Sequence, residues 1–253
     1  MAETPAAMVD RVTLILSAFA SRESQSLADI VARTGLPRSS VHRILQQLTA
    51  ARWLERVDAD YRLGLAIFEL GSLVAHRSHI VAAARPFMQQ LSESGRFVVH
   101  LAVLDGQDVV YLEKVGGALA GRLPSRVGGR LPAHCTGVGK AMLAHESSRV
   151  VADFLRAGLA PRTSATIVDP EAFAAELARI RHQGYAMDRG EAVPGLTCIA
   201  APVFDVGMVA AGISVSGPAR QVDITQVRRN VQYVATQISR RVTGSEWAPL
   251  PSS

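Results

Sequence analysis

The sequence has few cysteines and no long apolar run. Its two cysteines, Cys135 and Cys198, lie far apart without a CxxC spacing, so they form neither a zinc site nor a disulfide framework, and they suit a reducing compartment. No stretch approaches the ~18 consecutive apolar residues of a membrane helix. The N-terminus also lacks a basic start followed by an apolar run of signal-peptide length. We therefore expect a soluble cytoplasmic protein with no membrane partner, no metal and no other cofactor.

Lysine is almost absent as well. Only Lys114 and Lys140, of 27 basic residues, are lysine, and the formal net charge is +5. With 253 residues, 48% of them hydrophobic, the chain can bury one large core or two ordinary ones. The positive charge is concentrated locally, because Glu55 is the only acid between Arg33 and Arg56, a segment with five arginines. A basic stripe of this kind suits a polyanion.

The first 51 residues have the spacing of three helices. Apolar residues from Val12 to Phe19 recur at i, i+3, i+4 and i+7 and predict a helix over about 8–20. Ser26 is a good N-cap for a second helix, with Asp29 three residues later, and Gly35 ends it. A third helix is predicted from about Pro37 to Ala51. Its inward residues are Val41, Ile44, Leu45 and Leu48.

The outer face of the third helix is polar and basic. Its early turns carry Arg38, Ser39, Ser40, His42 and Arg43. The short runs "WLERV" and "YRL" around "DAD" then predict a hairpin, with Arg56 and Arg62 near its edges. Helix, helix, short turn, helix and hairpin is the order of a winged helix-turn-helix. The alternative is a surface helix of a small bundle that is basic by chance.

The chemistry of these residues fits double-stranded DNA. A helix in the major groove reads bases mainly from its N-terminal turns, where Arg38 and Arg43 stand. Arginine can bind guanine through two hydrogen bonds, each good pair contributing about 1–3 kcal/mol of discrimination. Arg56 and Arg62 on the wing are expected to meet phosphate or the minor groove, which adds affinity with little sequence information.

The rest of the chain predicts a linker helix and an α+β domain. Residues 65–78 form a mostly apolar helix, and Leu65, Phe68 and Leu73 are candidates for a dimer contact. Beyond it, a helix over about 79–94 precedes strands on both sides of Asp105-Gly106 and of Val206-Gly207, with further helices near 136–144, 147–157, 170–184 and 224–242. The predicted division is 1–64 for DNA binding, 65–78 for the linker and 79–253 for the antiparallel-sheet domain.

The segment "HCTGVGKAML" could be taken for an active site because His134 and Cys135 are adjacent. Neighbouring side chains diverge, however, and a catalytic pair needs the imidazole within hydrogen-bond reach of the sulfur. The glycines do not have the spacing of a phosphate loop. The better interpretation is a tight start to a helix whose first amides face a pocket and suit a carboxylate. Farther along, Ser214 and Ser216 are two apart in a strand and therefore point to the same side.

Three separated motifs, "GLPRSSVHRILQQLTAARWL", "LPAHCTGVGKAMLA" and "GLTCIAAPVFDVGMVAAGISVSGP", resemble the isocitrate-lyase-regulator (IclR) family of bacterial transcription factors. The resemblance covers about residues 8–242 and implies a winged helix-turn-helix, a dimerising linker helix and a GAF-like α/β effector domain. It implies effector-binding roles for Thr136, Gly137, Val138, Asp188, Cys198, Ser214 and Ser216. The chain departs from the family's usual run of acids after Asp188, where Arg189 and Gly190 stand.

The sequence therefore predicts a transcriptional regulator, not an enzyme. We expect a homodimer on an inverted-repeat DNA operator, controlled by a small organic acid, and the resemblance leaves a homotetramer open. The rival interpretation is a small-molecule-binding protein or enzyme whose basic helix is incidental. A steep salt dependence of DNA binding separates the two.

Overall fold

The structure, a computed structural model, describes residues 7–20, 22–77, 79–93 and 97–244, without the side chains of residues 75–77. The chain divides into two compact units, Met1–Arg77 and Ser78–Ser253. The predicted three-part division at residues 64 and 78 stays a prediction, and Ser78 and residues 245–253 lie outside the described ranges.

The first unit contains a helical triad and a small sheet. Its elements are α1 (Met8–Ala18), β1 (Ser24–Ser26), α2 (Leu27–Thr34), α3 (Arg38–Ala50), β2 (Leu54–Val57), β3 (Asp60–Leu63) and α4 (Leu65–Arg77). The antiparallel sheet has the order β1-β3-β2. The sequence predicted the hairpin of β2 and β3 but not β1, which is only three residues long.

Local signals set the helix-turn-helix. Ser26 and Asp29 form the capping box, since the Ser26 hydroxyl accepts from the Asp29 N–H and the Asp29 carboxylate accepts from the Ser26 N–H. Gly35 ends α2 in the left-handed region at φ 66°, which glycine adopts without steric cost. Val41, Ile44 and Leu45 of α3 are buried in this unit's core. Burial of that stripe fixes which side of α3 remains at the surface.

The second unit is built on a six-stranded antiparallel sheet of order β6-β5-β4-β9-β8-β7. Its helices are α5 (His79–Glu93), α6 (Gly137–Leu143), α7 (Ser148–Arg156), α8 (Pro170–Gln183) and α9 (Ile224–Gly244). Its strands are β4 (Val98–Asp105), β5 (Asp108–Gly116), β6 (Arg130–Pro132), β7 (Ala186–Arg189), β8 (Leu196–Asp205) and β9 (Met208–Pro218). The short edge strands β6 and β7 were not predicted.

Two apolar layers cover the sheet. Ile213 and Val215 of β9 point into a core formed with α5 and α9, and the opposite face packs against α6, α7 and α8. Ser214 and Ser216 lie on that opposite face, as the alternation of a strand requires. The predicted fold class is thereby confirmed: a winged helix-turn-helix and an α/β domain with an antiparallel sheet.

Two glycines allow α6 to lie directly on its neighbours. A Cβ at Gly139 would stand 2.1 Å from the carbonyl oxygen of Ala133, and one at Gly137 would stand 3.0 Å from Cys198 Sγ. Both positions therefore leave no room for a side chain without movement of the backbone or the sheet. The start of α6 is held against β8, where the predicted effector residues converge.

Within the described part of the chain, no helix is long and apolar enough to cross a membrane. In the same ranges, no three His, Cys, Asp or Glu side chains gather into a group that could hold a metal ion.

Candidate functional site

The first candidate site is the outer face of α3. Arg38, Ser39, His42 and Arg43 are exposed there and Ser40 is half-buried. Among the residues that the structure describes, Arg38 and Arg43 have no ion-pair or hydrogen-bond partner. Pro37 gives the helix no side-chain cap, and its first turn has no acid. Two free guanidinium groups at an uncapped helix start suit base edges and phosphate.

The two wing arginines lie on opposite faces of the hairpin. Arg56 is paired in register with Tyr61, and Arg62 with Glu55. The Arg56 guanidinium lies 6.0 Å from the Tyr61 ring centroid and donates to the carbonyl of Asp58 at 3.1 Å. Arg62 instead forms an exposed ion pair with Glu55. Arg56 therefore carries an uncompensated charge near the wing tip, whereas the charge of Arg62 is already partly balanced.

The second candidate site is a cavity between the sheet and the start of α6, with about 450 Å³ of space, part of which is open to solvent. Six of the seven predicted effector residues line it: Thr136, Gly137, Val138, Asp188, Cys198 and Ser216. Three of them form one row across the sheet, since Asp188 pairs with Cys198 and Cys198 with Ser216.

Ser214 does not line the cavity. It is buried and pairs in register with Ala200. A Cβ at Gly137 would lie 3.3 Å from the Ala200 side chain, so α6 begins directly over this row. The hydroxyl groups of Ser216 and Ser214 both act to lower the pKa of the Cys198 thiol. Burial has the larger effect and raises the pKa of the thiol to about 11, so the thiol is neutral.

Asp188 is the acidic wall of the cavity. Its Oδ1 accepts hydrogen bonds from the N–H groups of Glu191, at 2.6 Å, and Ala192, at 3.4 Å. Oδ2 takes part in neither bond. Burial raises the pKa of Asp188 to about 6, an effect that the backbone bonds oppose.

The remaining polar wall was not predicted from the sequence. His100, Tyr111 and Ser125 line the cavity together with apolar residues. Burial lowers the pKa of His100 to about 3, so the ring is neutral, and its Nε2 lies 2.8 Å from Ser125 Oγ. Burial also raises the pKa of Tyr111. The sequence signal that could have identified this wall is the histidine within the apolar run "FVVHLAVL". His100 shares a strand face with Val98 and Ala102, so the strand pattern alone predicts that its ring is buried.

The cavity's acidic wall is anchored by long-range bonds. Thr163 Oγ1 donates to the carbonyl of Gly190 at 2.8 Å, and Thr166 Oγ1 donates to that of Glu191 at 2.9 Å. The Glu191 carboxylate forms a buried ion pair with Lys140 of α6. These contacts hold the segment that follows Asp188, although Arg189 and Gly190 replace the acids expected there.

His134 and Cys135 do not form a catalytic pair. His134 Nε2 donates to the carbonyl of Ala160 at 2.9 Å, and Cys135 Sγ donates to the carbonyl of Pro132 at 3.4 Å. Burial raises the pKa of the Cys135 thiol to about 11. The Cys135 bond lies within the turn before α6, whereas the His134 bond reaches the segment that follows α7.

A winged helix-turn-helix with a free basic face, together with a second unit that encloses a cavity, defines a DNA-binding regulator with a sensor domain. Residues 8–58 match the family model of the IclR helix-turn-helix domain, and residues 72–240 match that of the bacterial transcriptional regulator IclR C-terminal domain. The chain belongs to the IclR family of bacterial transcriptional regulators.

Individual relatives agree. The chain is 38% identical over 215 residues to the HTH-type transcriptional regulator BhcR of Paracoccus denitrificans, covering 83% of this chain and 77% of that protein. It is 32% identical over 240 residues to XynR of Escherichia coli, covering 92% and 95%. An IclR homolog of Microbacterium hydrocarbonoxydans, solved in complex with 4-hydroxybenzoate, superposes with a TM-score of 0.85 at 32% identity, covering 94% of this chain and all of that one.

Proposed function

We propose that this regulator reads its operator with α3 and senses a small organic acid in the cavity of its second unit. Arg38, Ser39, Ser40, His42 and Arg43 contact bases and nearby phosphates, and Arg56 and Arg62 support the wing on the DNA backbone. The free guanidinium groups of Arg38 and Arg43 are the observation that carries the DNA-binding role. Because its partner is chromosomal DNA, we place the protein in the cytoplasm.

The effector proposal rests on the cavity wall. Thr136, Gly137, Val138, Asp188, Cys198 and Ser216 surround space for a small ligand. Ser214 lies buried on β9, two residues before Ser216. Ser216 and Tyr111 offer hydroxyl groups to a carboxylate, while Leu123, Leu131 and Val138 suit a carbon skeleton. The related regulator bound to 4-hydroxybenzoate supports an organic acid of this size. Regulation requires that the effector bind two arrangements of the protein with different affinity.

The first prediction concerns Ser216. Ser216→Val removes a hydroxyl donor and fills space in the cavity, so affinity for the effector should fall by about tenfold or more, corresponding to ~1.4 kcal/mol. Operator binding without effector should persist. A thermal-shift screen of organic acids, beginning with 4-hydroxybenzoate, identifies the ligand for titration into both proteins.

Thr236→Val is the matched control, because Thr236 is exposed on α9 and bonds only within its own helix. Equal effector affinity in Ser216→Val and wild type would remove Ser216 from the binding site. Loss of operator binding in the same variant would contradict the proposed separation of DNA binding and sensing.

We further propose that the protein acts by binding and not by catalysis. The hydrogen bonds of His134 and Cys135 to separate carbonyls and the raised thiol pKa support this. The rival enzyme would hydrolyse or otherwise convert a carbonyl or ester substrate with Cys135 as nucleophile. A turnover rate that disappears in Cys135→Ala would favour it.

The second prediction concerns assembly. We propose a homodimer through α4, matched to an inverted-repeat operator, with a homotetramer as a higher state. Leu65, Phe68 and Leu73 are exposed on α4, Phe68 to 70%. Phe68→Asp should shift the protein toward monomer in light scattering at about micromolar concentration and weaken operator binding, because it places a charge in an apolar interface. Val206→Asp, at a similarly exposed apolar position in a turn, should do neither. A monomeric wild-type protein with full operator affinity would refute the dimer.

A further inference from the structure

The charge on the side chains that line the effector cavity is one-sided. Asp188 is the only carboxyl group among the side chains that line the cavity in the described structure, and no lysine or arginine is among them. His100 adds no positive charge, because burial keeps it neutral. An organic anion in this cavity would therefore face a carboxylate without a cation of its own.

Lys140, the buried cation nearest to the cavity, already forms ion pairs with two carboxylates. Lys140 is only 1% exposed, and its ammonium group contacts both Glu191, at 2.5 Å, and Glu176, at 3.4 Å. Glu176 also forms an ion pair with Arg179. Glu191 Oε2 is buried and has no hydrogen-bond partner in the described structure. Lys140 is therefore held by two carboxylates, and its charge is not available to an anion in the cavity.

Two further cations lie at the edge of the cavity but do not line it, and each is held by backbone carbonyls instead of a carboxylate. Arg162 is exposed and donates to the carbonyl of Ala192 at 3.0 Å. Lys114 donates to the carbonyls of Leu123 and Ser125. Near Asp188, the thiols of Cys135 and Cys198 and the phenol of Tyr111 are all neutral, because burial raises their pKa values.

Two carboxylates in one poorly solvated site repel each other, and one of them then takes up a proton. We propose that the cavity binds an organic carboxylate together with one proton, which Asp188 takes from water. Asp188 Oδ2 becomes the O–H donor of a hydrogen bond to the effector carboxylate, while Oδ1 keeps its bonds from the backbone of Glu191 and Ala192. This inference rests on the proposed organic-acid effector and makes Asp188 its specificity-determining residue.

The sign of the pH dependence follows from this step. Burial raises the pKa of Asp188 to about 6, so in the free protein the group is ionised above that pH. Above the pKa of Asp188, each binding event must then take up one proton. The affinity for a carboxylate should therefore fall by about tenfold for each pH unit above that pKa. Below the pKa, Asp188 is already protonated and the affinity should level off. A neutral amide of the same shape can donate its N–H to ionised Asp188 and needs no proton.

The experiment compares acids with their amides. Benzoate, 4-hydroxybenzoate and pyruvate, with benzamide, 4-hydroxybenzamide and pyruvamide, are screened by thermal shift and titrated by calorimetry at about pH 6, 7 and 8. Titration in phosphate and in Tris buffer counts the protons taken up, because the buffers differ in ionisation enthalpy. We expect close to one proton per bound acid at the highest pH, none per bound amide, and a tenfold loss of acid affinity over the last pH unit.

Asp188→Asn provides a second readout. Asparagine keeps an oxygen for the Glu191 and Ala192 N–H groups and presents a neutral N–H donor to the effector, so acid binding should lose its pH dependence and its proton uptake. Acid affinity at the highest pH should equal or exceed that of wild type, which a merely structural role would not produce. If this variant does not fold, the wild-type comparison of acids and amides still decides.

The outcomes separate this inference from the function on which it rests. Acid binding without proton uptake, or with the same affinity across the pH range, would overturn proton coupling alone. Equal pH dependence in Asp188→Asn would assign the proton to another group and would overturn the role of Asp188. A panel in which no acid binds would overturn the organic-acid effector class and this inference with it.

Discussion

Lys140→Met should lower the free energy of unfolding by about 3–5 kcal/mol, the range for removal of one partner of a buried ion pair. Lys140 lies on α6, and its buried ammonium group contacts the carboxylates of Glu191 and Glu176. Methionine fills similar space without the charge. Glu176 keeps Arg179, but Glu191 loses its ion-pair partner. Urea or thermal unfolding of both proteins, followed by circular dichroism, measures the difference.

The pH dependence of this loss has a definite sign. Burial already raises the pKa of Glu191 above its usual value, and Lys140 opposes that effect. Without Lys140 the pKa should rise further, so the variant loses stability as the pH rises through the range where Glu191 must ionise. The destabilisation should therefore be larger at neutral pH than in acid, and Lys140→Met with Glu191→Gln should recover part of it.

Lys114→Met is the matched control, since Lys114 is the only other lysine in the chain. Its ammonium group is half-buried and contacts backbone carbonyls instead of a carboxylate. Lys114→Met should lower the free energy of unfolding by about 1 kcal/mol, the contribution of a typical hydrogen bond. Equal losses in the two variants would contradict the structural importance of the Lys140 and Glu191 pair.

Arg43→Ala should weaken binding to the true operator by about 5- to 150-fold, corresponding to 1–3 kcal/mol, and should weaken binding to random DNA far less. The reason is that Arg43 is exposed on the early turns of α3 and has no partner among the described residues. The measurement is fluorescence anisotropy on an operator fragment selected from random-sequence DNA by repeated binding to the wild-type protein, at one fixed salt concentration.

Three arginine controls sharpen this test. Arg56→Ala should weaken operator and random DNA alike, because a phosphate or minor-groove contact carries little sequence information. Arg62→Ala should also act on both, but less, since Arg62 is ion-paired with Glu55. Arg149→Ala, on the surface of α7, should change neither. An unchanged ratio of specific to non-specific affinity in Arg43→Ala would show that α3 does not read the bases.

Much of the fold could be predicted because its signals are local. The capping box of Ser26 and Asp29, the stop at Gly35 and the two-residue turn at Val206-Gly207 depend on neighbouring residues only. The short strands β1, β6 and β7 could not be predicted in this way. Each has three or four residues and is recognisable only through the longer strand with which it pairs.

The sequence by itself determined which face of α3 is polar and which side of β9 carries Ser216, because the helix and strand periods assign side chains to faces. It could not determine that Arg62 meets Glu55, that His100 meets Ser125, or that Lys140 meets Glu191. The last two contacts join residues that are 25 and 51 positions apart in the sequence. The residues next to each partner give no indication of which distant residue it will contact. Only the tertiary structure decided these contacts, because they form when α6, the sheet and the connecting segments pack together. The charges that surround the cavity are brought together by that packing, so they cannot be assigned from the sequence of any one segment.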